Sequence, residues 1–277
     1  MGHPTDIEWT DATWNPVGGC SIRSPGCINC YAQLLAGTRL TGHPMYAGVT
    51  DTVKGKPVFN GKMTVAADDH DVWRWPLKWR GAKRPRMGEG MPSLIFVGDM
   101  ADLCHEDRPA GDITRVLAVC AQSRHISQLL TKRPDVMARH LERIEPMPSV
   151  WIGFSAERQP EFDERWPHVR AVASAGWTAF VSSEPMIGPV VLPPDFLAFG
   201  NRVQIIVGGE SGADRRETNP DWMRAVRDQC LGDGVSYFTK QMTGKRHIPP
   251  DLMIRQFPEV RRASVAPKIE PQMRLAV

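Results

Sequence analysis

The chain has 277 residues, 42% hydrophobic and 23% charged, a mixture that excludes disordered and fibrous classes and leaves room for one large core or two small ones. Its 34 basic and 31 acidic residues leave a net charge of +3, too mild to name a nucleic-acid partner, so where the charge sits must decide. No run of 18 apolar residues occurs and the opening MGHPTDIEWTD lacks a basic-then-apolar leader, so a cytoplasmic protein without membrane spans is expected.

From the amino end, a weak strand signal at 13–17 runs into a loop at 14–31, where Cys20, Cys27 and Cys30 stand as C-x6-C-x2-C among glycines. A second weak strand signal follows at 63–67. Residues 68–90 then read as an insertion whose stretch 74–86 carries six basic residues and no acid, with Trp73, Trp75 and Trp79 interleaved. Lys78, Arg80, Lys83 and Arg84 in this segment suit backbone phosphates, and Trp75 and Trp79 suit stacked bases; the alternative is a solvated loop with its tryptophans in the core.

Beyond it, short β-branched runs at 94–97, 126–130, 150–152, 179–181, 203–207 and 235–238 predict buried parallel strands. Helical stretches are expected at 113–122, 135–144, 162–175 and 220–231, the last opened by Asn219 as N-cap with Pro220 at the first helical position. With the two weak strands the count reaches about eight. The predicted fold class is therefore α/β: a complete or partial TIM-type barrel as a single domain over 1–257, followed by a flexible tail at 258–277.

Each of the six clear strands ends in polar residues: Asp99; Lys132 and Arg133; Ser155; Glu184; Gly208, Gly209 and Glu210; Lys240. In a parallel barrel all carboxyl ends open on one face, where active sites of this architecture are built. Lys132, Arg133 and Lys240 make that mouth positive and suited to an anionic substrate, which with the basic tryptophan segment favours a nucleotide or nucleic acid.

Three thiolates in one loop can hold a 4Fe-4S cluster with one iron left open to an exogenous ligand. Zinc is the competing metal and would need a fourth ligand, which His3, or Cys104 with His105, could supply; buried free cysteines are the third reading.

The cysteine triad, its closing pair followed by Tyr31, resembles radical S-adenosylmethionine enzymes, whose first gap is usually three residues rather than six. The wider pattern of 10–16, 96–100, 183–185, 208–212 and 240–241 resembles a phage-associated family of radical-SAM-like proteins of uncharacterised function. The resemblance implies that Cys20, Cys27 and Cys30 bind a 4Fe-4S cluster, that S-adenosyl-L-methionine is the second cofactor, and that a 5′-deoxyadenosyl radical abstracts hydrogen from substrate. It also implies an electron donor of flavodoxin or ferredoxin type and leaves room for a partner protein. Asp99, Ser155, Glu184, Gly208, Gly209 and Glu210 are the candidate cofactor contacts, Cys104 and Lys240 the candidate catalytic groups. The other class of function is a non-catalytic nucleic-acid-binding protein with structural zinc.

Overall fold

Side chains alternate across a β-strand, so a strand buried on both faces divides its apolar residues between two surfaces. The computed structural model, which describes residues 2–260, shows this division along one curled sheet. In chain order the elements are β1 (Gly2–Pro4), β2 (Ala12–Trp14), β3 (Val17–Gly18), α1 (Tyr31–Ala36), β4 (Thr50–Val53), β5 (Lys56–Phe59), β6 (Thr64–Val65), α2 (Trp75–Lys78) and β7 (Leu94–Val97). Then come α3 (Ala110–Gln122), β8 (Ile126–Thr131), α4 (Pro134–Leu141), β9 (Val150–Ser155), α5 (Gln159–Ser174), β10 (Thr178–Ser183), α6 (Pro194–Leu197), β11 (Val203–Gly208), α7 (Pro220–Asp233) and β12 (Ser236–Gln241).

The main sheet has the order β1-β2-β7-β8-β9-β10-β11-β12. Strands β2 and β7 to β12 are parallel, and β1 pairs antiparallel to β2. With β1 and β12 left as edges, this is a partial TIM-type barrel in a mixed α/β domain. The helix expected at 220–231 forms as α7, with the Asn219 side chain accepting from Asp221 N at 2.9 Å and Gly234 closing the helix at φ 71°.

One expected strand goes elsewhere. Residues 63–67 form β6, which pairs with β3 in a separate two-stranded ladder, and the eighth strand of the main sheet is β1. Thr64 is only half-buried and Val65 exposed, so this short run lacks the two-sided burial that an interior barrel strand needs. At the other end Glu259 N donates to Asn201 O at 3.2 Å and Val260 packs on the cluster around Trp9, so the first residues of the tail expected at 258–277 are held on the sheet; 261–277 lie outside the described residues.

Inside the curl, Leu94, Phe96, Ile126, Trp151, Phe180, Ile206 and Phe238 pack with Trp9 into one buried cluster. Gly153 leaves the space that Phe180 fills, since a Cβ there would stand 2.3 Å from the ring. The alternate residues face the helices and form two larger cores, one under α5, α6 and α7, the other under α3 and α4.

Candidate active site at the carboxyl end of the sheet

Aromatics fill the lower lumen, and its chemistry begins above them. Trp9, 4.8 Å from Phe96 between ring centroids, donates its indole N–H to Glu184 Oε2 at 3.2 Å. Lys240 Nζ lies 3.1 Å from Glu184 Oε1, which sets a half-buried ion pair on the floor of the mouth. Gly208 is required beside it, because a Cβ there would come within 2.4 Å of Glu184 Oε1. Ser155 and Ser182 are register partners on β9 and β10 and share the parity of the lumen residues Trp151 and Phe180. On the β7 side, Asp99 accepts from Asn15 Nδ2 at 2.5 Å and from the Tyr31 hydroxyl at 3.3 Å. Burial raises the Asp99 pKa against the opposing pull of these hydrogen bonds.

The cysteine loop lies across this end and is tied down at three places. Ser24 Oγ donates to Glu157 Oε1 at 2.7 Å; Lys132 also pairs with that carboxylate and Arg165 Nη1 reaches its other oxygen at 3.4 Å. Glu157 is fully buried, and although burial raises its pKa, Lys132, Ser24 and Arg165 together hold it below the ordinary carboxylate value. Gly26 is small for the same reason: a Cβ there would stand 2.2 Å from Glu157 Oε1. The second tie is Arg133, whose Nη2 donates to Ser21 Oγ at 2.7 Å while Nη1 pairs with Asp102 at 3.0 Å and Nε meets Glu106. His105 Nε2 meets the same Ser21 hydroxyl at 2.7 Å. The third is Glu210, which accepts from Asn29 Nδ2 at 3.0 Å and from Arg216 at both oxygens, while Arg216 Nη1 donates to Pro25 O at 3.0 Å.

Cys20 and Cys30 are half-buried and Cys27 is buried, its sulfur accepting from Arg23 N at 3.5 Å. Burial pushes the Cys20 thiol up; Asp102 and the nearby Cys30 and Cys27 add to this, and Arg133 opposes it. Among the described residues no group of three His, Cys, Asp or Glu side chains is already closed for a metal ion. The donor set nevertheless fits an iron–sulfur cluster chemically: three thiols share one anchored loop, Lys132 and Arg133 supply positive charge beside it, and no disulfide consumes a sulfur.

Asp99, Lys132, Ser155, Glu184, Glu210 and Lys240 thus share one face with the cysteines. Other expected residues have different roles. Cys104 is fully buried in the cluster behind the sheet with Val116, Leu117 and Cys120, so it faces the helices and not the mouth. Arg133, 3% exposed and fully engaged, holds the loop and presents no cation to a phosphate. Glu210 spends both oxygens on Arg216 and Asn29, leaving neither for a cofactor amine or hydroxyl, and Gly209 packs on Thr243, 2.5 Å from where its Cβ would lie. The basic tryptophan segment lies at the opposite, amino end of the sheet: His125 Nε2, one residue before β8, meets Trp79 O at 2.9 Å, and Ser93, one residue before β7, accepts from Ala82 N at 2.8 Å. Trp75 and Trp79 stack on each other at 5.1 Å and pack on the core. Sequence reasoning passed over Trp9 and Arg216, whose importance rests on partners 175 and 191 positions away.

Solved structures with this fold include mutants of spore photoproduct lyase, each matched over 88% of this chain and 79% of its own: one at TM-score 0.50 and 9% identity, and one with bound AdoMet and dinucleoside spore photoproduct at 0.51 and 11%. Another, with dinucleoside spore photoproduct, matches at 0.51 and 10%. At these identities the likeness establishes the fold. No curated protein matches the sequence. A family model spans residues 4–263, nearly the whole chain, and the protein belongs to that family, described as a protein of unknown function (DUF5131).

Proposed function

We propose that this protein is a radical S-adenosylmethionine enzyme acting on a nucleotide or nucleic acid. The observation that carries the reading is a loop with Cys20, Cys27 and Cys30 anchored by Glu157, Arg133 and Glu210 over the carboxyl end of a partial barrel. The fold's likeness to a lyase structure with bound AdoMet and dinucleoside spore photoproduct supports both the cofactor and the substrate class. Cys20, Cys27 and Cys30 would hold the cluster, which with S-adenosylmethionine would supply reductive cleavage of the sulfonium C–S bond to methionine and a hydrogen-abstracting 5′-deoxyadenosyl radical, the one electron coming from an external donor protein.

The chain's own groups do the rest. Trp9 and the aromatic lumen close the mouth from below and exclude water from a reactive radical. Glu184, held by Lys240 and Trp9, presents a fixed carboxylate to a ribose hydroxyl or an amine, and Lys240 attracts an anionic group. Tyr31, on Asp99, sets the wall next to Cys30.

Anaerobic reconstitution with iron and sulfide tests this. About four irons per chain and broad absorbance near ~400 nm are expected, with 5′-deoxyadenosine released once dithionite and S-adenosylmethionine are added. A colourless protein that takes up zinc and releases no 5′-deoxyadenosine would overturn it.

A further inference from the structure

The amino end of the barrel carries a basic surface that the mouth does not use. Arg80, Lys83, Arg84 and Arg124 are exposed there, and the first three have no hydrogen-bond or ion-pair partner among the described residues. Three acids of this end are already engaged: Asp71 pairs with Lys78 at 2.9 Å, Glu8 with Arg255 at 2.8 Å, and both Asp11 oxygens accept backbone N–H groups, from Arg86 at 2.9 Å and Leu94 at 2.7 Å. Two neighbouring open depressions, of about 610 and 360 Å³, place Arg80 and Arg124 in one and Lys83 and Arg84 in the other.

The segment that displays these cations is fixed. Ala82 N on Ser93 Oγ and Arg86 N on Asp11 hold it at two points, and Gly81 makes its turn at φ 95°, with a Cβ there only 2.9 Å from Ser93 Oγ. A prearranged row of unpaired cations loses little entropy when an anionic chain binds. The tryptophans are committed to each other and to His125, so the surface reads charge and offers no base-stacking platform.

The geometry points to a second nucleic-acid contact at this end, in which Arg80, Lys83, Arg84 and Arg124 hold backbone phosphates without reading sequence. Six-residue strands such as β8 to β12 separate this end from the mouth by about 20 Å at ~3.3 Å per residue. One strand engaging both ends therefore needs at least about six nucleotides at ~3.4 Å each. If the mouth acts on nucleic acid as proposed above, its substrate is a polymer and not a free nucleotide.

Fluorescence anisotropy on the full chain, with and without iron, tests the contact directly. The probes are a labelled oligonucleotide of about 20 bases and a labelled dinucleotide, titrated between ~50 and ~200 mM salt. Four phosphate contacts predict a slope of log K against log salt near ~−3 for the long single strand. In the triple variant Arg80→Glu, Lys83→Glu, Arg84→Glu, affinity for the long strand should drop at least about tenfold at low salt and the slope should flatten by about 2, with the melting curve unchanged. The dinucleotide should bind both proteins alike. Equal affinity and slope in wild type and variant would overturn the contact, as would tight binding to phosphatidylserine vesicles without binding to the oligonucleotide. Because the titration needs no cluster, salt-dependent binding by a protein that fails to take up iron would refute the radical reading and leave this contact standing.

Discussion

Ser24 Oγ and Glu157 Oε1, 133 positions apart, meet at 2.7 Å and join the middle of the cysteine loop to the residue two past the end of β9. The bond is short, buried and charge-assisted, and Lys132 and Arg165 converge on the same carboxylate. The loop is therefore positioned by the barrel's own rim.

Glu157→Ala leaves the buried Arg165 without its carboxylate and Lys132 unpaired, and should cost about 3 kcal/mol or more of folding stability. Its pKa is lowered in the folded protein, so its contribution is full above the unfolded value of about 4.3 and is lost as pH falls through the lower folded value. Urea titrations at several pH values check both points: the wild type should lose stability on acidification below about pH 4, and the variant, already weaker at pH 7, should lose less.

Arg216→Ala removes the donors that hold Glu210 and Pro25. Charge-assisted hydrogen bonds of this kind are worth about 1.5–3 kcal/mol, so the loop should open roughly 10- to 100-fold more often while the core is untouched. Amide hydrogen exchange should show faster exchange at 20–31 with β9 to β11 unchanged.

Each of Cys20→Ala, Cys27→Ala and Cys30→Ala should abolish retention of bound iron, because two thiolates are too few to hold a cubane. Cys104→Ala and Cys230→Ala should keep it, since both sulfurs lie in the cores behind the sheet. Iron analysis after desalting decides it; a full iron content in Cys27→Ala would reject the ligand assignment.

Gly153→Ala would set a methyl 2.3 Å from the Phe180 ring and should destabilise the fold by about 1–3 kcal/mol through overpacking. Adding Phe180→Leu should recover part of that loss, because the new methyl then occupies vacated space. Thermal melts of the two single variants and the double variant measure the coupling.

Lys240→Met removes the cation beside Glu184 while keeping the stem, and should weaken S-adenosylmethionine binding to the reconstituted protein about tenfold, the size of one charge-assisted contact. Equilibrium dialysis reads this directly; unchanged affinity with lowered turnover would place Lys240 against the substrate instead.

Much of the architecture was legible in the chain. The runs 94–97, 126–130, 150–152, 179–181, 203–207 and 235–238 all appear as parallel strands, and Asn219-Pro220 opens α7, because burial on both faces and capping leave local signatures. The grouping of Asp99, Lys132, Ser155, Glu184 and Lys240 at one end also follows from sequence, since parallel strands share their direction. Local pattern carries no information on which partner a polar group will meet. It therefore could not show that Glu210 and Arg133 are consumed in holding the cysteine loop, that Cys104 faces the helices, or that Trp9 rises under Glu184. Nor could it place the basic tryptophan segment at the amino end, where His125 and Ser93 receive it. Composition and spacing act along the chain, whereas burial and the hydrogen bonds that join Trp9 to Glu184, Ser24 to Glu157 and Asn29 to Glu210 are settled between residues more than a hundred positions apart, and only the closed tertiary structure decides those.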